Sequence, residues 1–302
     1  MKKLFVIAAM MTSFIANAQE FVVATGDTKG GSTYSKMFNE LNKACSKSIQ
    51  MTEQQSTGSI ANLDMLIGNK VNAAMVQADM LFFNKATDEA KVANIKTLVT
   101  LYPEELHFVA RGDVKKEGGF MGIGANKVVF STINDLASRP VGAVGGSVLS
   151  GRVVSSQSGL NFQVFEYPNN DALKAALLEG KIDAILVVGG APHSLISSLD
   201  QRYKLLSVPV DMQKKLSGVY SPTKLSYSNL NQAGVTSVAT QSLLVARTYK
   251  SPAMIAQLKS VRDCFYQEVP TLQDRVGSFP KWQQVDVSDK GKWDWYSLPS
   301  TK

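Results

Sequence analysis

Thr25-Gly26-Asp27-Thr28-Lys29-Gly30-Gly31-Ser32-Thr33-Tyr34 is the stretch on which the reading of this chain turns. It follows the short β-rich run Phe21–Ala24 and opens a segment in which Tyr34, Met37, Phe38, Leu41 and Cys45 recur at helical spacing. A strand that ends in a glycine-rich turn and passes straight into a helix aims backbone N–H groups at the space beyond it. Glycines allow close approach to the backbone, and the positive end of the helix favours an anion such as a carboxylate. Thr33 and Tyr34 add hydroxyl donors. The plain alternative is a tight turn with Tyr34 packed as core. A phosphate-binding P-loop needs Gly-Lys-Ser/Thr after its spacer, whereas Gly30-Gly31-Ser32-Thr33 has no lysine in that place and Lys29 comes too early.

The same logic recurs along the chain. Ser56-Thr57-Gly58-Ser59-Ile60-Ala61-Asn62 starts a second helix carrying Ile60, Leu63, Leu66 and Ile67, with Asn62 one turn in. Ser59 alone explains that start as an ordinary N-cap. The strand Val71–Val76 leads into Gln77-Ala78-Asp79, which follows it directly and is expected to face the same space. Strands are expected at Ile95–Tyr102 and Leu106–Arg111, separated by Pro103-Glu104-Glu105, and residues 112–126 read as an exposed glycine-rich loop. The alternation then restarts with a strand at Pro140–Val144. It feeds Gly145-Gly146-Ser147-Val148-Leu149-Ser150-Gly151, and Arg152 lies just past this second glycine turn, where a guanidinium can clamp a carboxylate. Ile182–Val188 is a strand ending in Gly189-Gly190-Ala191-Pro192, with Pro192 suited to the first turn of a helix. Ser237–Arg247 reads as a strand returning to the first half, followed by a helix over Pro252–Glu268.

This pattern is α/β: two lobes joined by crossover segments, with a ligand cleft where their polar turns meet beyond the strand ends. The expected division is a signal peptide at 1–18, a first lobe at 19–111 and 237–302 with a C-terminal tail, and a second lobe at 112–236.

Lys2 and Lys3, the apolar run Leu4–Ile15 and Ala16-Asn17-Ala18 have the three parts of a secretory signal, with cleavage expected after Ala18. No cysteine stands at that point to accept lipid, so the expectation is a periplasmic protein that is not a lipoprotein. The mature chain keeps 30 basic against 25 acidic residues, a formal charge of +5. The basic residues are scattered and not interleaved with aromatics, which argues against a nucleic-acid surface. Cys45 and Cys264 either pair in an oxidising compartment or remain two buried thiols; sequence separates neither reading. The three tryptophans, Trp282, Trp293 and Trp295, all lie in the last twenty-one residues and read as a tail packed over a lobe, or as a partner's docking surface.

Catalytic signals are thin. His107 sits in an apolar strand and His193 in a turn, with no metal-ligand spacing, and no cofactor motif is present. Ser147 lacks a nucleophile-elbow pattern because Leu149 stands where the second glycine belongs, and Ser221-Pro222-Thr223-Lys224 has no companion motifs. A secreted serine-type hydrolase is therefore the minor reading, and a non-catalytic receptor the main one.

Taken in order, Gly30–Tyr34, Thr57-Gly58-Ser59 with Asn62, Val76-Gln77-Ala78-Asp79, Leu101-Tyr102-Pro103-Glu104 and Leu106–Arg111 resemble the TAXI family of solute receptors, the binding subunits of TRAP transporters. The likeness continues through Gly145–Gly151, Glu179–Ala184 and Val188–Pro192, up to about residue 270. It departs at Asp27 and Lys29, at Arg152 and in the tryptophan-rich tail. The resemblance implies a type II periplasmic binding-protein fold that closes on a small organic acid or amino acid, such as glutamate or 2-oxoglutarate, and delivers it to a membrane permease. An orphan receptor serving a sensor or another transporter is the alternative. The expected ligand-binding set is Gly30, Gly31, Ser32, Thr33, Tyr34, Thr57, Gly58, Ser59, Asn62, Gln77, Asp79, Gly146, Ser147, Ser150, Gly151, Arg152 and Gly190, with no catalytic or metal-binding residue and no cofactor. The backbone of both glycine turns and the hydroxyls would hold a carboxylate, while Gln77 and Asp79 orient the ligand's other end.

Overall fold

In the computed structural model, which describes residues 20–27, 32–113, 115–117 and 126–298, the first strands and helices alternate as their apolar spacing dictates. β1 (Phe21–Ala24), α1 (Thr33–Cys45), β2 (Met51–Gln54), α2 (Ser59–Ile67) and β3 (Ala73–Gln77) form two strand–helix–strand units. Their strands are parallel, in the order β2-β1-β3. α3 (Ala78–Thr87) and the single turn α4 (Glu89–Val92) lead to the seventeen-residue β4 (Ile95–Arg111). The short antiparallel pair β5 (Lys115–Glu117) and β6 (Asn126–Val128) follows. A second parallel set is built from β7 (Pro140–Ala143), α5 (Gly146–Ser158), β8 (Gln163–Glu166), α6 (Asn170–Leu178) and β9 (Ala184–Gly189). The chain returns through α7 (Ser194–Ser197), β10 (Tyr203–Leu205), α8 (Val210–Leu216), β11 (Ser221–Tyr227) and the sixteen-residue β12 (Gln232–Arg247). It ends in α9 (Pro252–Asp274) and a tail that makes a 3-10 turn at Pro280–Gln284.

The two long strands carry both halves. Strand order runs β2-β1-β3-β12-β4-β9-β7-β8, with β12 antiparallel between β3 and β4. Leu98, Val99 and Leu101 of β4 and Leu244 of β12 pack with α1 and α9. A few residues along, Leu106, Phe108 and Ala110 of β4 and Val238 of β12 belong to a separate core with α5 and β7. The molecule is thus a two-lobed α/β protein of the type II binding-protein architecture expected from the resemblance.

Several expectations differ in detail. Pro103 does not split β4. It pairs with Gln241, where β12 shifts register, and side chains fill the irregularity: Ser242 Oγ donates to the Tyr102 carbonyl at 2.6 Å and accepts from the Tyr102 N–H at 3.1 Å. A missing N–H costs little at such a bulge. The sequence Ser221-Pro222-Thr223-Lys224 reads as a loop, but Ser221 is the first residue of edge strand β11, whose buried Leu225 and Tyr227 alternate with exposed neighbours. Pro192 follows a cis peptide and precedes α7, whose first turn is capped by His193, so it does not start a helix. The expected loop at 112–126 contains β5 and the first residue of β6; its glycines after 117, like the signal segment, lie outside the described residues.

Cys45 and Cys264 are bonded, with an S–S distance of 2.02 Å, tying α1 to α9. Trp282 is 1% exposed, and its indole N–H donates to Glu40 Oε2 at 2.7 Å. The Trp293 indole donates to the Ile95 carbonyl at 2.9 Å. The tail is therefore packed onto the first lobe through these two rings.

Candidate functional site

A cavity of about 500 Å³ opens between the lobes. Its first wall is made by the starts of α1 and α2 and the ends of β3 and the first half of β4. Its second wall is made by the start of α5, the first turn of α6 and the segment from β9 to α7. Phe279 of the tail closes one side. Three helix N-termini, those of α1, α2 and α5, reach this space with no side-chain cap on their first N–H groups. Gly58 before α2 has φ 121° and Gly145 before α5 has φ 54°, conformations that favour glycine and turn the helix ends toward the cleft. Uncapped N–H groups of this kind are donors for a carboxylate.

Of the residues expected from sequence, Ser32, Thr33, Tyr34, Thr57, Gly58, Ser59, Gln77, Gly146, Ser147 and Gly190 line this cavity. Gly30 and Gly31 lie outside the described residues. The walls approach closely at Gly146, where an added Cβ would lie 2.8 Å from Gln77 Oε1. Ser59 Oγ is shared between the Tyr34 hydroxyl at 3.3 Å and the Gln77 N–H at 3.2 Å, tying α1, α2 and β3 together at the floor.

Five expected residues are elsewhere. Asn62 is fully buried, accepting from Ser56 Oγ at 2.6 Å and donating to the Met75 carbonyl at 2.7 Å, so it fixes α2 to β3. Asp79 does not share the space of Gln77, because the strand ends at Gln77 and α3 begins at Ala78, so the alternation of the strand does not carry on to Asp79. It accepts from the Tyr220 hydroxyl at 3.0 Å behind the cleft. Burial raises its carboxyl to about pKa 6, against the pull of hydrogen bonds from Ser150 and Tyr220. Ser150 is buried on α5, its carbonyl accepting from the same tyrosine at 3.4 Å. Gly151 lets α5 pack on the sheet, since a Cβ there would come within 3.1 Å of Val164. Arg152, one residue on, is exposed. Arg111 is engaged by Asp113 in a two-pronged pair on the surface.

Sequence reading missed Tyr102, Glu104, Lys36, Asn170, His193 and Phe279, which also line the cavity. A signal was present at Glu104-Glu105: two carboxylates inside an otherwise apolar strand are anomalous. Both are buried. Glu104 Oε2 accepts from Gln77 Nε2 at 2.8 Å and Oε1 accepts from the Tyr102 hydroxyl at 3.2 Å. Burial pushes its pKa up to about 7, with the hydrogen bonds from Tyr34, Gln77 and Tyr102 pulling the other way. Burial, followed by the Glu104 charge, raises the Tyr34 and Tyr102 hydroxyls well above their usual value, so both remain donors. Glu105 accepts from the Ala191 N–H at 2.7 Å and lies 3.6 Å from Lys281 Nζ of the tail, an ion pair whose atoms are almost out of solvent. Burial raises Glu105, with Lys281 opposing it, and burial lowers Lys281, with Glu105 opposing it.

His107 is structural. Its Nδ1 lies 3.2 Å from the Val187 carbonyl and its Nε2 2.9 Å from the Tyr227 hydroxyl. Burial holds its pKa down at about 3, assisted by the neighbouring His193. An unfolded chain takes up that proton first, so the His107 contribution to stability falls as pH drops from about 6.5 towards 3. Glu104 and Asp79 act in the opposite sense: their raised values make the folded chain the stronger proton binder, and their contribution is lost as pH rises from about 4 to 7. The two effects oppose each other above about pH 4, and below it His107 acts without that offset. Urea midpoints measured against pH should therefore hold through mild acid and drop below pH 4. His107→Gln should flatten that drop by about 1.4 kcal/mol per pH unit; an unchanged acid limb would rule this account out.

Among the described residues, no three His, Cys, Asp or Glu side chains come together as metal ligands, and no helix is long and apolar enough to cross a membrane. Compared with known proteins, residues 23–249 match the NMT1-like family. Solved structures similar to this chain include an amino acid ABC transporter substrate-binding protein from Streptococcus pneumoniae bound to L-arginine, at 16% identity and TM-score 0.47, covering 83% of this chain and 90% of that one. Another is the GluR0 ligand-binding core from Nostoc punctiforme with L-glutamate, at 15% identity and TM-score 0.46, covering 83% and 93%. A third is an arginine transport periplasmic binding protein from Legionella pneumophila, at 15% identity and TM-score 0.45, covering 82% and 93%.

Proposed function

Since the chain belongs to the NMT1-like family, we propose that it is an exported, non-catalytic solute receptor that holds a small organic acid or amino acid between its lobes. The observation that carries this reading is the convergence of three uncapped helix N-termini on one cavity of about 500 Å³. Such a set is suited to a ligand carboxylate and supplies no nucleophile–base pair. The candidate nucleophile Ser147 has its Oγ engaged by the Val188 N–H at 3.0 Å, and Ser221 is held in β11 against Ala239. The lobes divide within the two long strands, near 103–105 and 239–241, where β4 and β12 pass from one core to the other. A ligand touching both walls stabilises the closed form because the open form lacks half of those contacts. The resemblance to TAXI receptors makes a TRAP-type permease the partner that receives the ligand, and the leader at 1–18 the means of export to the periplasm.

The test is a thermal-shift screen of carboxylates and amino acids on the mature protein, with each hit then checked for consumption. A ligand present at about a hundred times its Kd adds about 2.7 kcal/mol of stability. Stabilisation with the compound recovered intact is the expected result. Conversion of the compound, or no response to any of these compounds, removes the reading.

A further inference from the structure

The floor of the cleft carries a feature that a site for simple anions has no use for. Glu104 is 5% exposed yet lines the cavity, at the point where α1, α2 and β3 meet. Gln77 and Tyr102 already donate to its two oxygens, at 2.8 and 3.2 Å, and Tyr34 adds a third hydrogen bond. An ionised carboxylate has about four acceptor positions, so room remains for one more donor. Glu104 and its three partners all line the cavity, so the remaining acceptor position lies at the cavity wall. Lys36, at the rim of the same cavity, is exposed and lies 5.2 Å from the centre of the Phe279 ring. The cavity therefore has a negative group at its floor and positive helix ends around it, an arrangement complementary to a zwitterion. A 2-oxo acid would bring its charge towards Glu104 with nothing to offer it.

Resting on the receptor reading above, we propose that Glu104 receives the protonated amine of the ligand, so that the cleft selects amino acids over the corresponding oxo and des-amino acids. The helix ends take the ligand's carboxylate and Glu104 takes its ammonium. Glu104 is thus the residue that sets ligand class. The groups around it are Tyr34 from α1, Gln77 from β3, Tyr102 and Glu105 on its own strand, Asp79 from α3 and Lys281 from the tail, with His193 across the cleft. The buried Glu104 carboxyl, with its value near 7, changes charge around neutrality; Asp79, at about 6, does so too but does not line the cavity and is held by the Tyr220 hydroxyl. An arriving ammonium favours the ionised form, and the proton that leaves Glu104 goes to the buffer.

The test compares the twenty L-amino acids with their 2-oxo and des-amino analogues on the mature protein, by calorimetry at pH 6 and pH 8.5 in buffers of different ionisation enthalpy. We expect at least one amino acid to bind about 10- to 100-fold more tightly than its analogues, the range for a charged hydrogen bond. Its binding should release close to one proton at pH 6 and almost none at pH 8.5. Glu104→Gln should abolish both the preference and the proton release. The wild-type proton release needs no variant and so stands even if Glu104→Gln fails to fold. Analogues that bind as well as amino acids, or amino-acid binding with no proton release at pH 6, would overturn the proposal while leaving the receptor reading intact. Absence of binding by every acid and amino acid would overturn both.

Discussion

Replacing Cys45 and Cys264 together by alanine should lower the free energy of unfolding by about 3–5 kcal/mol. The bond closes a loop spanning 219 residues of separation, so it restricts the unfolded chain over most of its length. Both residues are buried, and they join the first helix to the last at the centre of one core. Little cavity is opened by removing two sulfur atoms, so most of the effect comes from the freed unfolded chain. Urea unfolding of the oxidised wild type, the reduced wild type and the double variant measures it. The reduced protein and the variant should coincide, both well below the oxidised form. Equal midpoints for all three would mean that the bond contributes nothing.

Trp282→Ala is expected to cost a further amount of the same order, about 3–5 kcal/mol, as for other large buried aromatics. The ring packs on Phe265 with centroids 6.3 Å apart, and its N–H goes to Glu40. Truncation leaves a cavity and takes a donor from Glu40, whose remaining partner here is the Phe279 N–H at 3.0 and 3.1 Å to its two oxygens. The same turn holds Lys281 beside Glu105 and Phe279 against the cleft. Ligand affinity should therefore fall along with stability. Trp282→Phe separates the contributions: it restores most of the packing but not the hydrogen bond, and should recover more than half of the lost stability. A Trp282→Ala protein as stable as wild type would show that the tail is not part of the first lobe's core.

The α/β alternation and the glycine turns were legible because strand–turn–helix units follow from local spacing, and those turns do line the cleft at Ser32–Tyr34, Thr57–Ser59 and Gly146–Ser147. What local pattern does not carry is direction beyond the first turn of a helix. Asn62, Asp79, Ser150, Gly151 and Arg152 lie near the right turns in sequence but rotate away from the cavity. The floor residues Tyr102 and Glu104 were missed for a different reason. Pro103 reads as a break, whereas register shift and the Ser242 side chain let the strand run through it. The cleft faces of α6 and the tail depend on contacts between segments distant in the chain, on which spacing is silent.

The position of β12 between β3 and β4 also bears on how the molecule is made. The strand that joins the parallel trio β2-β1-β3 to β4 is the last of these five to be synthesised, and the cysteine that locks that lobe comes later still. Until then β3 and β4 of the nascent polypeptide lack the strand that lies between them. Long-range pairing of this kind is slow and leaves the chain open to chaperones in the meantime. For the exported precursor proposed above, that delay would let the leading segment reach a translocation channel before it locks into a fold.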